Sequence, residues 1–143
     1  MKTKSQVTLF LENQPGTMAR ACSILKREKI NIQAFTLFGT VDHGVLRIIV
    51  EDPKTTVSVL GAEGFLAIES EVIEIEAPDT PGVLHRICGL LAREGINIEY
   101  GYGSTARDGG RDRIFLQASD NAGAIRVLRE RFGGGEGGAS PSP

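Results

Sequence analysis

Apolar and polar residues alternate, then recur at helical spacing, then alternate again, and the cycle runs twice along the chain. Residues 7–12 (VTLFLE) are β-branched and apolar with a polar end, which predicts a strand. Asn13, Gln14, Pro15 and Gly16 break it. Met18, Ala21, Cys22 and Leu25 then fall at i, i+3, i+4 and i+7, one face of an amphipathic helix. That helix ends near Lys29, and Ile30-Asn31-Ile32 opens a strand running to about Phe38. Residues 39–44 read as a turn and residues 45–51 (VLRIIVE) as a third strand. Asp52 and Pro53 have the chemistry of a helix start, an N-cap followed by proline in the first turn. Val57 and Leu60 mark the apolar side of this second helix, Gly61 and Gly64 end it, and residues 65–69 return to strand. The predicted order is βαββαβ.

The second copy repeats it. Residues 72–77 alternate Val72/Glu74/Glu76 with Ile73/Ile75. Leu84, Ile87, Cys88 and Leu91 form the next helix face, and residues 96–102 and 113–118 read as strands. Asp120 caps a last helix carrying Ala124, Ile125, Leu128 and Phe132. The segment PGTMARACSILKREKINI is matched by PGVLHRICGLLAREGINI at an offset of 66, with ten identities in eighteen positions. After the longer polar loop at 103–111 the offset becomes 68, aligning Asp52 with Asp120 and Leu60 with Leu128. The expected domains are 5–70 and 71–132, followed by a disordered Gly/Pro-rich tail at 133–143.

The two copies end differently. The first runs through FLAIESEVIEIEA, one strand joined to the next with almost no turn. The second runs into GGGEGGASPSP, which cannot make a strand. The second unit is therefore expected to lack a clear last strand, its edge open or covered by something else, such as a neighbouring chain. A βαββαβ order folds as a ferredoxin-like unit, so the predicted class is α+β: two tandem units, antiparallel sheets with helices on one face. A unit of about 65 residues buries only ~60% of its unfolded surface, so each needs support from the other or from a partner.

Composition narrows the function. The net charge is −2 with no cluster of Lys or Arg, which argues against a nucleic-acid or anionic-membrane surface. Phe115 is the single aromatic on the two third strands, far from the stacking pattern of RNA-binding sheets. No apolar run approaches ~20 residues, so no membrane span is expected. The N-terminal segment lacks the features of a secretory signal, and a cytoplasmic location follows. Cys22 and Cys88 share one repeat position without a CxxC spacing. Metal or redox chemistry is the alternative there to small buried helix residues. His43 and His85 are not equivalent in the repeat and have no catalytic company. No enzyme activity, catalytic residue, metal or cofactor is expected.

The remaining motif is the break itself, Asn13-Gln14-Pro15-Gly16 and Asp79-Thr80-Pro81-Gly82, each between a first strand and a first helix. Together with the Ile-Asn-Ile after each helix, this turn resembles the ACT domain, a small regulatory module that binds amino acids. The resemblance covers about residues 5–132. The tandem format is loosely similar to the acetolactate synthase small subunit. An amino acid is a zwitterion, and the turn offers a partner for each charge. Gly16 and Gly82 let a ligand approach the backbone. The amides of Thr17-Met18 and Val83-Leu84, at helix starts, favour a carboxylate. Asp79 can accept from an ammonium as a charge-assisted bond, while Asn13 brings no charge. The other reading of Asn13 and Asp79 is helix capping alone.

By what the resemblance implies, Asn31-Ile32 and Asn97-Ile98 form the opposite wall, contributed by a neighbouring domain. Their alternative is loop-to-strand entry with buried isoleucines. Gln14 and Thr80 belong to the same turns. Tyr100 and Tyr102 either line a pocket or pack on the sheet. The expected function is an allosteric sensor that binds a small amino acid at the ACT–ACT interface, forms a homodimer and modulates a metabolic enzyme. The alternative is a regulatory subunit that works by obligate protein–protein contact with an acetolactate-synthase-like enzyme.

Overall fold

The computed structural model describes residues 1–104 and 110–132. The expected tail at 133–143 lies outside the described residues, as does most of the expected 103–111 loop. The chain divides into two compact units, one of Lys4–Val72 and one of Met1–Thr3 together with Ile73–Pro143.

The first unit holds β1 (Lys2–Glu12) from Lys4 onward, α1 (Thr17–Arg27), β2 (Ala34–Gly39), β3 (His43–Ile49), α2 (Pro53–Ala62) and the first half of β4 (Leu66–Pro78). Its strand order is β2-β3-β1-β4, with β3 antiparallel to both neighbours. The register puts Val7 opposite Ile48 and Leu9 opposite Leu46. These side chains pack on Ala21, Ile24 and Leu25 of α1 and Leu60 of α2, so both helices cover one face of the sheet. Period-2 burial in the strands and the i, i+3, i+4 stripe in α1 meet in one core.

The second unit holds the rest of β4, α3 (Val83–Arg93), β5 (Ile98–Ser104), β6 (Arg111–Ala118) and α4 (Asn121–Arg131). Its core, Ile73, Ile75, Ile87, Leu91, Leu116 and Leu128, repeats the first. No strand follows α4 among the described residues. The place of a last strand is taken by the chain's own beginning, since β1 is the neighbour of β4 on the side away from β6. Met1 packs on the second core. The Met1 carbonyl accepts from Nε and Nη2 of Arg129 at 3.2 and 3.0 Å. Lys2 Nζ lies 3.7 Å from Glu74. A neighbouring chain is therefore not what sits on this side of β4. Sequence pattern missed these residues because Met1-Lys2-Thr3 have no strand signal of their own.

Other departures are local. The strands after α1 and α3 begin at Ala34 and Ile98, not at Ile30 and Ile96. Lys29 and Gly95 adopt positive φ (57° and 69°), and the amides of Ile30 and Ile96 bond back to Leu25 and Leu91. The isoleucines are thus held in the helix exit and packed on the cores before pairing begins. The two strands expected at 65–69 and 72–77 are one strand of thirteen residues. Asp52 and Asp120 cap α2 and α4 as expected, accepting from the amides of Thr55 and Gly123.

Candidate functional site

Both Pro-Gly turns are built alike. Gln14 N–H bonds to Glu12 O at 2.9 Å and Thr80 N–H to Pro78 O at 2.9 Å. Gly16 and Gly82 are the N-caps of α1 and α3, at φ 89° and 93°, with no side-chain cap bond. Glycine is required by that torsion and not by crowding, because a Cβ at either would meet nothing within 4 Å. Capping is therefore not the role of Asn13 or Asp79. The Thr17 and Val83 amides are already bonded, at 3.3 and 3.4 Å, to the carbonyls of Gln14 and Thr80. The helix-start amides with no carbonyl inside their helices are the next two, Met18 and Ala19 in the first unit and Leu84 and His85 in the second.

Beyond the turns the units diverge. Asn13 is laced to the β2–β3 hairpin: its side-chain amide donates to Thr40 O and its backbone amide to Asp42 O. Asp79 is exposed, and no described residue bonds its carboxylate. Next to it a groove of about 340 Å³ opens between the start of α3 and the end of the β5–β6 pair. Thr80, Gly82, Val83 and Leu84 form one side of it, with His85 above them. Gly103 and Ser104 of β5 and Asp112 and Ile114 of β6 form the other. Its surface is mostly apolar, and its size is at the lower end of ligand pockets, ~300–1,000 Å³.

The second-unit turn residues thus come together around one space. Asn97 and Ile98 do not join them there. Asn97 bonds Ser119 through its amide and its carbonyl, and Ile98 packs on the core. They lie beyond the C-terminal end of α3, an eleven-residue helix of ~16 Å. Asn31 and Ile32 are placed the same way after α1, Asn31 exposed and Ile32 against the first core. Tyr102 packs on the sheet, stacked on Phe115 at 5.2 Å, with the Arg113 guanidinium 5.2 Å from the same ring. Its strand neighbours Gly101 and Gly103 face the helices instead. Cys22 and Cys88 are half-buried on α1 and α3. His43 is exposed at the start of β3.

Sequence reasoning missed Gly103, Ser104, Asp112, Ile114 and His85. The repeat alignment held a signal for the first: Gly103 stands where the first copy has Leu37. Among the described residues no helix is long and apolar enough to cross a membrane.

The pattern of the family described as ACT domain pair matches residues 2–130. No curated protein matches the sequence. Among solved structures, protein BT0572 from Bacteroides thetaiotaomicron is 31% identical with a TM-score of 0.85, over 90% of this chain and 88% of that one. The ligand-free regulatory subunit of aspartate kinase from Thermus thermophilus is 20% identical with a TM-score of 0.65, over 92% and 98%. The corresponding subunit from Thermus flavus is 19% identical with a TM-score of 0.61, over 92% and 95%. At these identities the two aspartate kinase subunits speak for the fold alone.

Proposed function

We infer the function from one premise: the chain belongs to the family of ACT domain pairs. We propose that it binds a small free amino acid at its Pro-Gly turn and modulates a metabolic enzyme through that binding, without catalysing a reaction itself. The observation that carries this reading is the second-unit groove. Its mostly apolar surface and the start of α3, whose amides suit a carboxylate, support this reading, as does the exposed Asp79 one residue before the groove's Thr80, suited to an ammonium. The regulatory subunits of aspartate kinase share this fold at similar length, and a partner enzyme in amino-acid metabolism is the proposal made here by analogy with them. Ligand binding would act by favouring one pairing of domains or subunits over another.

The partner also includes a second copy of the chain. The edge strand β2 carries Phe35, Leu37 and Phe38 at 59%, 49% and 63% exposure. An open strand edge with large apolar side chains is a surface that pairing would cover. A cytoplasmic location accords with a metabolic target.

A thermal-shift screen against the twenty amino acids tests the sensing role. At a hundredfold excess over Kd, a true ligand stabilises the fold by ~2.7 kcal/mol. If none of the twenty moves the transition, sensing is wrong, and regulation by protein contact alone takes its place.

A further inference from the structure

We propose that the chain carries a single amino-acid site, in the second unit, and that its ligand has an aliphatic side chain; this rests on the sensing role proposed above. The argument is a comparison of matched positions. In the second unit the groove is floored by Gly103 and flanked by Asp112 and Ile114, with Gly103 and Ile114 directly opposite in the β5–β6 register. The matched positions in the first unit are Leu37, Gly44 and Leu46, with Leu37 directly opposite Leu46.

There the space is occupied. Leu37 reaches over Gly44, its Cδ1 3.8 Å from where a Cβ on Gly44 would lie. Gly103 has no such side chain. A Cβ built on it would stand 2.8 Å from the Arg113 carbonyl oxygen, so the tight β5–β6 approach keeps this floor bare. The first turn is also closed by the Asn13 bonds to the β2–β3 hairpin, whereas Asp79 is exposed and no described residue bonds its carboxylate.

The ligand class follows from the walls. A carboxylate meets the Leu84 and His85 amides, and an ammonium meets Asp79. The side chain then runs along Val83, Leu84 and Ile114, three apolar neighbours. Asp112, the acidic side chain on that wall, is already engaged within the chain, so a charged ligand side chain would give up hydration along the apolar wall for little return.

Isothermal titration of the full chain with alanine, valine, leucine, isoleucine, lysine and glutamate tests the proposal. One aliphatic amino acid is expected to bind with one site per chain, and lysine and glutamate roughly tenfold or more weaker. Leu84 is 54% exposed, so Leu84→Asp leaves the core intact and is expected to weaken binding about tenfold or more. Ser104→Phe fills the same groove from an exposed strand position and serves where Leu84→Asp fails to fold. Two sites per chain, a preference for lysine or glutamate, or binding unchanged in a folded variant would overturn the single-site proposal while leaving sensing in place. No binding by any of the six overturns the aliphatic ligand, and no thermal shift with any of the twenty removes both.

Discussion

The two units share a helix, a turn and a core, yet differ on both faces of the sheet. On the helix side, Phe35 and Leu37 in the first unit stand where the second has Gly101 and Gly103. On the open side, Thr8 and Val45 stand where the second has Glu74 and Arg113. What is common is what the fold needs. Arg20 and Arg86, identical in the repeat, do the same work: each stacks on a phenylalanine, Phe65 at 4.2 Å and Phe132 at 4.9 Å. Each also donates to a carbonyl at the end of its unit's second helix, Glu63 O or Arg131 O. The differences lie on the two faces of the sheet, some exposed, as at Phe35 and Leu37, and some buried, as at Glu74.

The open faces offer the largest contrast to test. Glu74 is only 3% exposed and takes two hydrogen bonds from Arg113, at 3.0 and 2.7 Å. Arg113→Ala would leave that carboxylate without its two hydrogen bonds and with the longer Lys2 contact, and cost about 3 kcal/mol in chemical denaturation, the low end for a broken buried pair because Arg113 is a third exposed. The matched Val45→Ala should cost about 1 kcal/mol. Equal losses would mean that the charge pair adds nothing beyond packing.

The turns offer the opposite test, because there the units should behave alike. Gly16→Ala and Gly82→Ala each force a Cβ onto a left-handed residue without a clash, at about 1 kcal/mol apiece. A large inequality in melting temperature would show that one turn is held by contacts the other lacks.

The smallest effect concerns the second helices. Thr55, through its hydroxyl and then its amide, holds the Asp52 carboxyl below the usual carboxylate range. A carboxyl depressed in the fold stabilises above its unfolded pKa, about 3.9, and that contribution fades as pH falls through the lower folded value. Asp52→Ala should therefore melt below the parent at pH 7, with the gap closing toward pH 2. A gap that is constant across that range would assign the loss to propensity and not to the charge.

Much of this was legible in the chain. The duplicated helix faces, Asp52 and Asp120 as caps, and the Pro-Gly turns follow from local chemistry, and local chemistry decided them. Three features were not legible because they depend on what lies across a strand pair or far along the chain. Asn13 looks like a cap by residue type, but Gly16 takes that place and Asn13 turns to Thr40. The groove needs Gly103 of β5 opposite Ile114 of β6, a register that residue types alone do not fix. Met1–Thr3 carry no pattern at all and are ordered by Glu74 and Arg129.

That last arrangement has a kinetic consequence. Met1 and Arg129 are bonded across a separation of 128 residues. During synthesis Lys4–Val72 can close on contacts within its own stretch, whereas the other unit must wait for its final helix before the first three residues have a place to dock. Such a non-local closure slows folding, its entropic cost growing with the logarithm of the loop it completes. Residues 1–3 are thus among the last to fold, and a bulky segment fused directly to Met1 would burden their unit more than the other.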